Sequence, residues 1–205
     1  INNGLFPLTF IRVLSLHFQD DVNVFYDMMT SNITNNRQQN MINIPLAKNK
    51  IFDPKLIYLA GVIYGDGCIT RNFIKISDGH SNQTELKFSL DFLNMLKKMT
   101  KDVFNYECTE PKRIGNQYGI YIISKYIVDF LCFIFDLQYS PKKDLKFPEI
   151  LNLTRNEKYF IRGLFDTDGG IDKDDKTISF KSNSIILTTD IINKLNSYGL
   201  SPKKI

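Results

Sequence analysis

The sequence predicts an α+β (mixed α/β) fold made of two copies of one unit, and two observations carry that prediction. Leu59-Ala60-Gly61-Val62-Ile63-Tyr64-Gly65-Asp66-Gly67 and, 102 residues later, Ile161-Arg162-Gly163-Leu164-Phe165-Asp166-Thr167-Asp168-Gly169 share one plan: glycine at the third place, an acid at the eighth, glycine at the ninth. Each stretch is apolar and helical in character, and after its last glycine the hydrophobic period shortens to the alternation of a strand. Glycine among bulky residues lets two helices approach backbone to backbone, so Gly61 and Gly163 are expected at a helix–helix interface. Such packing would bring Asp66 and Asp168 side by side, just ahead of glycines suited to a left-handed helix cap.

Residues 1–50 read as an N-terminal helical region, with Phe6, Phe10, Val13 and Leu14 at helical spacing, a second short helix over 22–29 and an Asn-, Gln- and Thr-rich loop over 31–43. Two readings stay open for it: a helix-turn-helix remnant that would enter a major groove, and an appendage packed on the main domain. The first repeat is expected over 51–140. Asp53 then Pro54 opens its helix, an N-cap acceptor followed by proline at the first helical position, and the helix should run from about Lys55 to Asp66. Cys68 to Ser77 reads as a strand pair or one bent strand, with Ile74 and Ile76 on one face and Arg71, Phe73, Lys75 and Ser77 on the other. Asp78-Gly79-His80 is turn chemistry. Ser89 is the expected N-cap of a helix that carries Phe92, Leu96, Met99 and Val103 on one face. A hairpin of Tyr106–Glu110 and Gln117–Ile123 around a loop over 111–116 follows, and Ser124 then caps an apolar helix to Leu137.

Residues 141–153, with Pro141, Pro148 and the basic run Lys142-Lys143-Asp144-Leu145-Lys146, form a linker. The second repeat is expected over 154–205, opening on a capping box of Thr154 and Glu157. Its strand places Ile178 and Phe180 on one face and Thr177, Ser179 and Lys181 on the other, and its helix, about Ile186 to Tyr198, ends at Gly199. Compared with the first repeat it lacks a second hairpin and a last helix, so it reads as incomplete.

Composition sets outer bounds. A chain of 205 residues with 43% hydrophobic residues can bury a real core, and a formal charge of +4 permits a nucleic-acid partner without demonstrating one. Cys68, Cys108 and Cys132 form neither a C-x-x-C pair nor an even set, so free thiols in a reducing compartment are expected. The start carries no charged signal-peptide region, and the longest apolar run, Ile127 to Leu137, is too short to span a bilayer. A soluble intracellular protein follows, in the cytoplasm or an organellar matrix. His17 and His80 stand without partners at ligand spacing.

The paired motifs resemble those of the LAGLIDADG homing endonucleases, of the single-chain, two-motif type. The likeness runs from about Leu56 to the end of the chain. It implies a pseudo-twofold fold with the motif helices packed at the centre and antiparallel sheets laid against DNA, acting as a monomer on a long, near-asymmetric double-stranded site cleaved across the minor groove. By the same resemblance, the carbonyls of Gly65 and Thr167 would join Asp66 and Asp168 around a metal, and Lys75 and Lys181 would assist catalysis near the scissile phosphates.

Hydrolysis of a phosphodiester needs an activated water and neutralised phosphate charge, and carboxylate-held divalent cations serve both needs. Mg²⁺ takes few carboxylates beside waters and phosphate oxygens, so Asp66 and Asp168 suffice as protein acids. Asp166 matches Tyr64 in the first motif and need not be catalytic. The run from Asp166 to Asp175 fails as a calcium loop, since Ile171 stands where glycine is required and Thr177 where a bidentate acid is required. Outward-facing polar side chains can read the major groove, which makes Arg71, Lys75, Ser77, Lys112, Arg113, Gln117 and Tyr118 the DNA-binding candidates of the first repeat, and Thr177, Ser179 and Lys181 those of the second. Two other functions share the scaffold: a non-cleaving DNA-binding regulator, which would be expected to have lost the acids, and an RNA maturase that takes intron RNA as partner.

Overall fold

The structure, a computed structural model, describes residues 42–45, 48–172, 174 and 176–203. The helices expected over 6–14 and 22–29, and with them both readings of the N-terminal region, lie outside the described residues. The elements run α1 (Lys48–Ile51), α2 (Pro54–Asp66), β1 (Cys68–Ile69), β2 (Ile74–Gly79), α3 (Gln83–Phe104), β3 (Lys112–Ile114), β4 (Gln117–Ile122), α4 (Lys125–Ile134), a 3-10 turn (Glu149–Leu153), α5 (Glu157–Asp168), β5 (Gly169–Asp172), β6 (Thr177–Phe180) and α6 (Ile185–Ser197). Both sheets are antiparallel, one of order β1-β2-β4-β3 and one of β5-β6, so the mixed architecture is as expected. No helix among the described residues is long and apolar enough to cross a membrane.

Helix α2 is the centre of the molecule. Every residue from Leu56 to Tyr64 is buried, which a one-faced amphipathic helix cannot achieve. Leu56, Ile57, Leu59, Val62 and Ile63 are wholly excluded from solvent, and such burial stabilises by roughly 1.5–3 kcal/mol per side chain. Its start follows from Asp53, whose carboxylate accepts the Lys55 N–H at 2.7 Å while Pro54 gives up a donor that would go unpaired.

The partner of α2 is α5, and glycine decides how close they come. A Cβ on Gly61 would lie 2.2 Å from the Phe160 carbonyl oxygen, and one on Gly163 would lie 2.4 Å from the Tyr58 oxygen and 2.8 Å from the Val62 nitrogen. These obstacles are backbone atoms, which cannot swing aside. Around the crossing, Tyr58 donates to Asp166 Oδ2 at 2.7 Å, Arg162 Nε lies 3.5 Å from the same oxygen, and the Arg162 guanidinium sits over the Tyr58 ring. Asp166 therefore ties the two helices together. Tyr64, edge-on to Phe160, donates its hydroxyl to the Lys146 carbonyl.

Both motif helices end differently from expectation. Gly67 and Gly169 are extended, with φ −68° and −87°, because each chain passes straight from helix into strand. Glycine is needed there for room: a Cβ would stand 2.4 Å from the Ile63 oxygen at Gly67 and 2.3 Å from the Phe165 oxygen at Gly169.

In the first sheet Ile74, Ile76, Ile120 and Ile122 turn to the core, with α3 packed behind them through Leu93 and Leu96. Helix α3 opens at Gln83, well before Ser89. Asn82 accepts the Glu85 N–H at 2.9 Å, and Glu85 reaches back to the Ser81 N–H at 2.8 Å, a reciprocal cap that outcompetes Ser89. Ser89 lies buried within the helix and donates to the Gly79 carbonyl. Strand β2 accordingly runs on through Asp78 and Gly79. The expected six-residue hairpin loop shrinks to Gly115-Asn116, since Ile114 pairs with Gln117 and Gly115 takes φ +62°. Lys112 and Arg113 thus lie in strand β3. Helix α4 stops at Ile134, short of Leu137, because Phe135 leaves the helix and Asp136 turns to φ +52°.

The second unit opens without a capping box: Thr154 accepts the Asn156 N–H at 3.1 Å, and the N-cap Asn156 makes no side-chain cap bond. Ser184 opens α6 instead, accepting the Leu187 N–H at 3.2 Å. Ile171 and Ile178 pair across β5-β6 on the same side as Phe180, yet are 76% and 71% exposed, because only Phe180 reaches α5, stacking on Phe165.

The segment between the units is a strap anchored to both. Ser140 exchanges bonds with both backbone groups of Ile69, Leu145 accepts the Ser184 hydroxyl at 2.6 Å, and the Phe147 N–H donates to Asp190 at 3.0 Å.

Substituting Gly163→Ala should cost about 2–4 kcal/mol in urea unfolding, since the methyl meets backbone on two sides. Gly79→Ala, whose Cβ would find only the Gln117 side chain at 3.8 Å, should cost less than about 1 kcal/mol.

Candidate active site at the end of the paired helices

Because α2 and α5 carry their acids at the same end, the crossing gathers Asp66, Asp168 and the last helical carbonyls in one place. A Cβ on Gly65 would lie 3.1 Å from Asp168 Oδ2 and 2.1 Å from Thr167 Oγ1, so the second acid reaches across onto the end of the first motif. Thr167 shares its hydroxyl hydrogen between the carbonyls of Leu164 at 3.0 Å and Gly163 at 3.2 Å, and its own carbonyl belongs to the last turn, where carbonyls lack intrahelical partners. The Asp168 carbonyl accepts the Lys181 N–H at 3.3 Å.

Like charges meet here. Partial burial, with Asp168 and Asp78 nearby, pushes the Asp66 carboxyl up to about 6, against the pull of Lys142. Burial raises Asp168 as well, again opposed by Lys142. Lys142 is the feature that sequence reasoning missed. From the strap it donates to the carbonyls of Ile63 at 3.2 Å, Tyr64 at 2.6 Å and Gly65 at 2.5 Å. Its own pKa is lowered by burial, an effect that Asp168 and Asp66 partly offset. In the sequence it is one lysine of a basic run, and no local signal separates it from Lys143 or Lys146.

The donor set is oxygen only. Among the described residues no group of three or more His, Cys, Asp or Glu gathers to form a metal cluster, so two carboxylates and helix-end carbonyls are what a cation would meet. Hard oxygen donors in small number suit Mg²⁺ or Ca²⁺ and not a thiolate or imidazole metal. Cys108 and Cys132 are free, with thiols raised to about 11 by burial.

Strand register sorts the remaining candidates. Lys75, paired with Cys68 and Tyr121, shares its face with Ser77, Lys112 and Gln117, the face turned away from the helices. Arg113 and Tyr118, paired with each other and with Asp78, fall on the same side as Ile74 and Ile76. Arg113 there donates to the Gly115 carbonyl, and Tyr118 lies beside the His80 ring. Both therefore leave the expected set of outward readers: Tyr118 follows Gln117 directly in the strand and so faces the other way, and Arg113 is its cross-strand partner. Arg71 sits in the tight β1-β2 turn closed by Thr70 and Phe73, off the strand face. In the second sheet Thr177 and Ser179 are exposed on the side opposite Phe180, and Lys181 is exposed just beyond β6.

The fold, with its paired motif helices and antiparallel sheets, is similar to that of the two-motif LAGLIDADG proteins. Residues 156–204 match the LAGLIDADG-like domain. The chain is similar to solved structures of the homing endonuclease I-DmoI: its mesophilic variants, at TM-score 0.51 and 17% identity over 75% of this chain and 81% of that one, and its complex with DNA and Ca, at TM-score 0.53 and 16% identity over 75% and 76%. It is also 28% identical over 159 residues to the glutamine–fructose-6-phosphate aminotransferase (isomerizing) of Methanocaldococcus jannaschii. That match covers 76% of this chain but only 14% of the longer protein.

A carboxyl whose folded pKa is raised weakens the folded state when ionised. The penalty from Asp66 should thus be present above about pH 6 and fade as pH falls towards the usual carboxylate range near 4. With chelator present, Asp66→Asn should melt a few degrees above wild type at pH 7.5 and match it near pH 4, as followed by circular dichroism.

Proposed function

We propose that this protein is a site-specific endonuclease of double-stranded DNA that hydrolyses phosphodiester bonds with a divalent cation at Asp66 and Asp168. The observation that carries the reading is the convergence of the two motif acids at the ends of packed helices, from which both sheets depart directly at Gly67 and Gly169. Acids placed between two DNA-facing surfaces can reach the phosphates of both strands of a duplex. The likeness to I-DmoI, one of whose structures is a complex with DNA and Ca, supports the same partner for this chain.

In this reading Asp66, Asp168 and the carbonyls of Gly65 and Thr167 hold Mg²⁺, which neutralises phosphate charge and acidifies a water when bound. The chain's own part is orientation. Gly61 and Gly163 set the separation of the helices, Asp166 and Tyr58 tie one to the other, and Lys142 holds the α2 carbonyls in place. Lys75, Ser77, Lys112 and Gln117 form the duplex-facing surface of the first sheet, with Lys112 on phosphate and Gln117 suited to an adenine edge. Thr177, Ser179 and Lys181 are their counterparts in the second unit.

Incubation with a randomised duplex library and Mg²⁺, followed by sequencing of ends, tests the reading. Wild type should cut a restricted set of sites, while Asp66→Asn and Asp168→Asn should lose at least about a thousandfold in rate and keep binding. Binding without cleavage by wild type would favour the regulator, and retention of structured RNA over duplex DNA would favour the maturase.

The two sheet faces are separable by salt titration. Lys112→Ala should weaken binding similarly on all sequences and reduce the salt slope by about 1, whereas Gln117→Ala should relax preference at one base pair. Tyr118→Phe should leave both unchanged.

A further inference from the structure

We propose that Lys142 is a built-in counter-ion of the Asp66–Asp168 pair, a positioning residue supplied by the strap that sets how strongly the site attracts a divalent cation. The inference rests on the reading of these acids as a cation site and adds the element that limits its charge.

The last turn of a helix presents carbonyls without intrahelical partners and the negative end of the helix dipole. Helix α2 has no basic residue of its own in that turn. Lys142 supplies one from the strap, its three N–H donors matched to the oxygens of Ile63, Tyr64 and Gly65. The end of α5 also lacks a basic residue, and there the Lys181 backbone N–H serves the Asp168 carbonyl, so the charge arrives on one side only.

That placement is imposed by the fold. Ser140 is bonded to Ile69 and the Lys146 carbonyl to Tyr64, so the strap is pinned to the first unit on both sides of Lys142. Leu145 and Phe147 are bonded to Ser184 and Asp190 of the second unit, so the same strap registers both halves against the site. Two carboxylates alone would present two negative charges to an incoming cation; with the ammonium the sum is one. The Gly65 carbonyl has a second lone pair, so the bond to Lys142 does not bar it from also facing a metal.

Removal of this charge should therefore tighten divalent binding while loosening the helix end. Calorimetric titration of the full chain with Ca²⁺ at fixed ionic strength should show Lys142→Met binding on the order of tenfold more tightly than wild type, with Lys142→Arg within about threefold of wild type. Thermal melting in chelator should place Lys142→Met below wild type, and added Ca²⁺ should recover more of the loss than it adds to wild type. Lys142→Gln, which keeps an N–H donor for the carbonyls and drops the charge, provides the same affinity comparison if the methionine variant does not fold. Acid-dependent Ca²⁺ binding that neither neutral variant tightens would overturn this inference alone. Equal Ca²⁺ binding by wild type, Asp66→Asn and Asp168→Asn would remove the cation site and the inference with it.

Discussion

Everything at the candidate site depends on how closely α2 and α5 pack. With Gly61 under the Phe160 carbonyl and Gly163 under the Tyr58 carbonyl, the helix backbones are in contact, and Asp168 reaches the end of the first motif at Gly65. A wider crossing would carry Asp168 away from Gly65, and the strands that begin at Gly67 and Gly169 would move with it. The pair is also the core: α2 is buried on every side because α5, the first sheet and α3 all pack against it. Stability and site geometry are thus one constraint.

Such packing creates an electrostatic cost that the strap relieves. The two helices point their negative ends and two carboxylates at one locus, and burial, with Asp168 and Asp78 nearby, holds the Asp66 carboxyl up at about 6. A lysine from the segment between the halves meets the exposed carbonyls of the first helix. The two halves differ sharply in how they finish their sheets, four strands against two among the described residues. The asymmetry of the strap's charge follows the same division.

Errors of local reading share one cause. Ser89, Thr154 and the glycines of the two motifs have the chemistry of caps, but caps compete, and short-range rules do not rank the competitors. Asn82 with Glu85 takes the start of α3 because it satisfies donors in both directions, and Ser89 is then drawn into the core. Gly67 and Gly169 carry no positive φ because the next strand begins at once; what they provide is space beneath a helical carbonyl. At the hairpin, a shorter turn than expected brings Arg113 into the strand as the partner of Tyr118, and both lie off the face of Lys75 and Gln117 because consecutive strand residues alternate.

The sequence by itself determined the mixed fold, the two motifs and the helices that carry them, because periodicity, small residues at fixed places and repeated acids are local signals that recur whatever surrounds them. Tertiary structure alone decided which side chains of different strands share a sheet face, what occupies the end of α2 and where the strap lies. Lys142 shows why. Its partners lie more than seventy residues away in the chain, and only the docking of the strap on Ile69 and Tyr64 brings its ammonium to them.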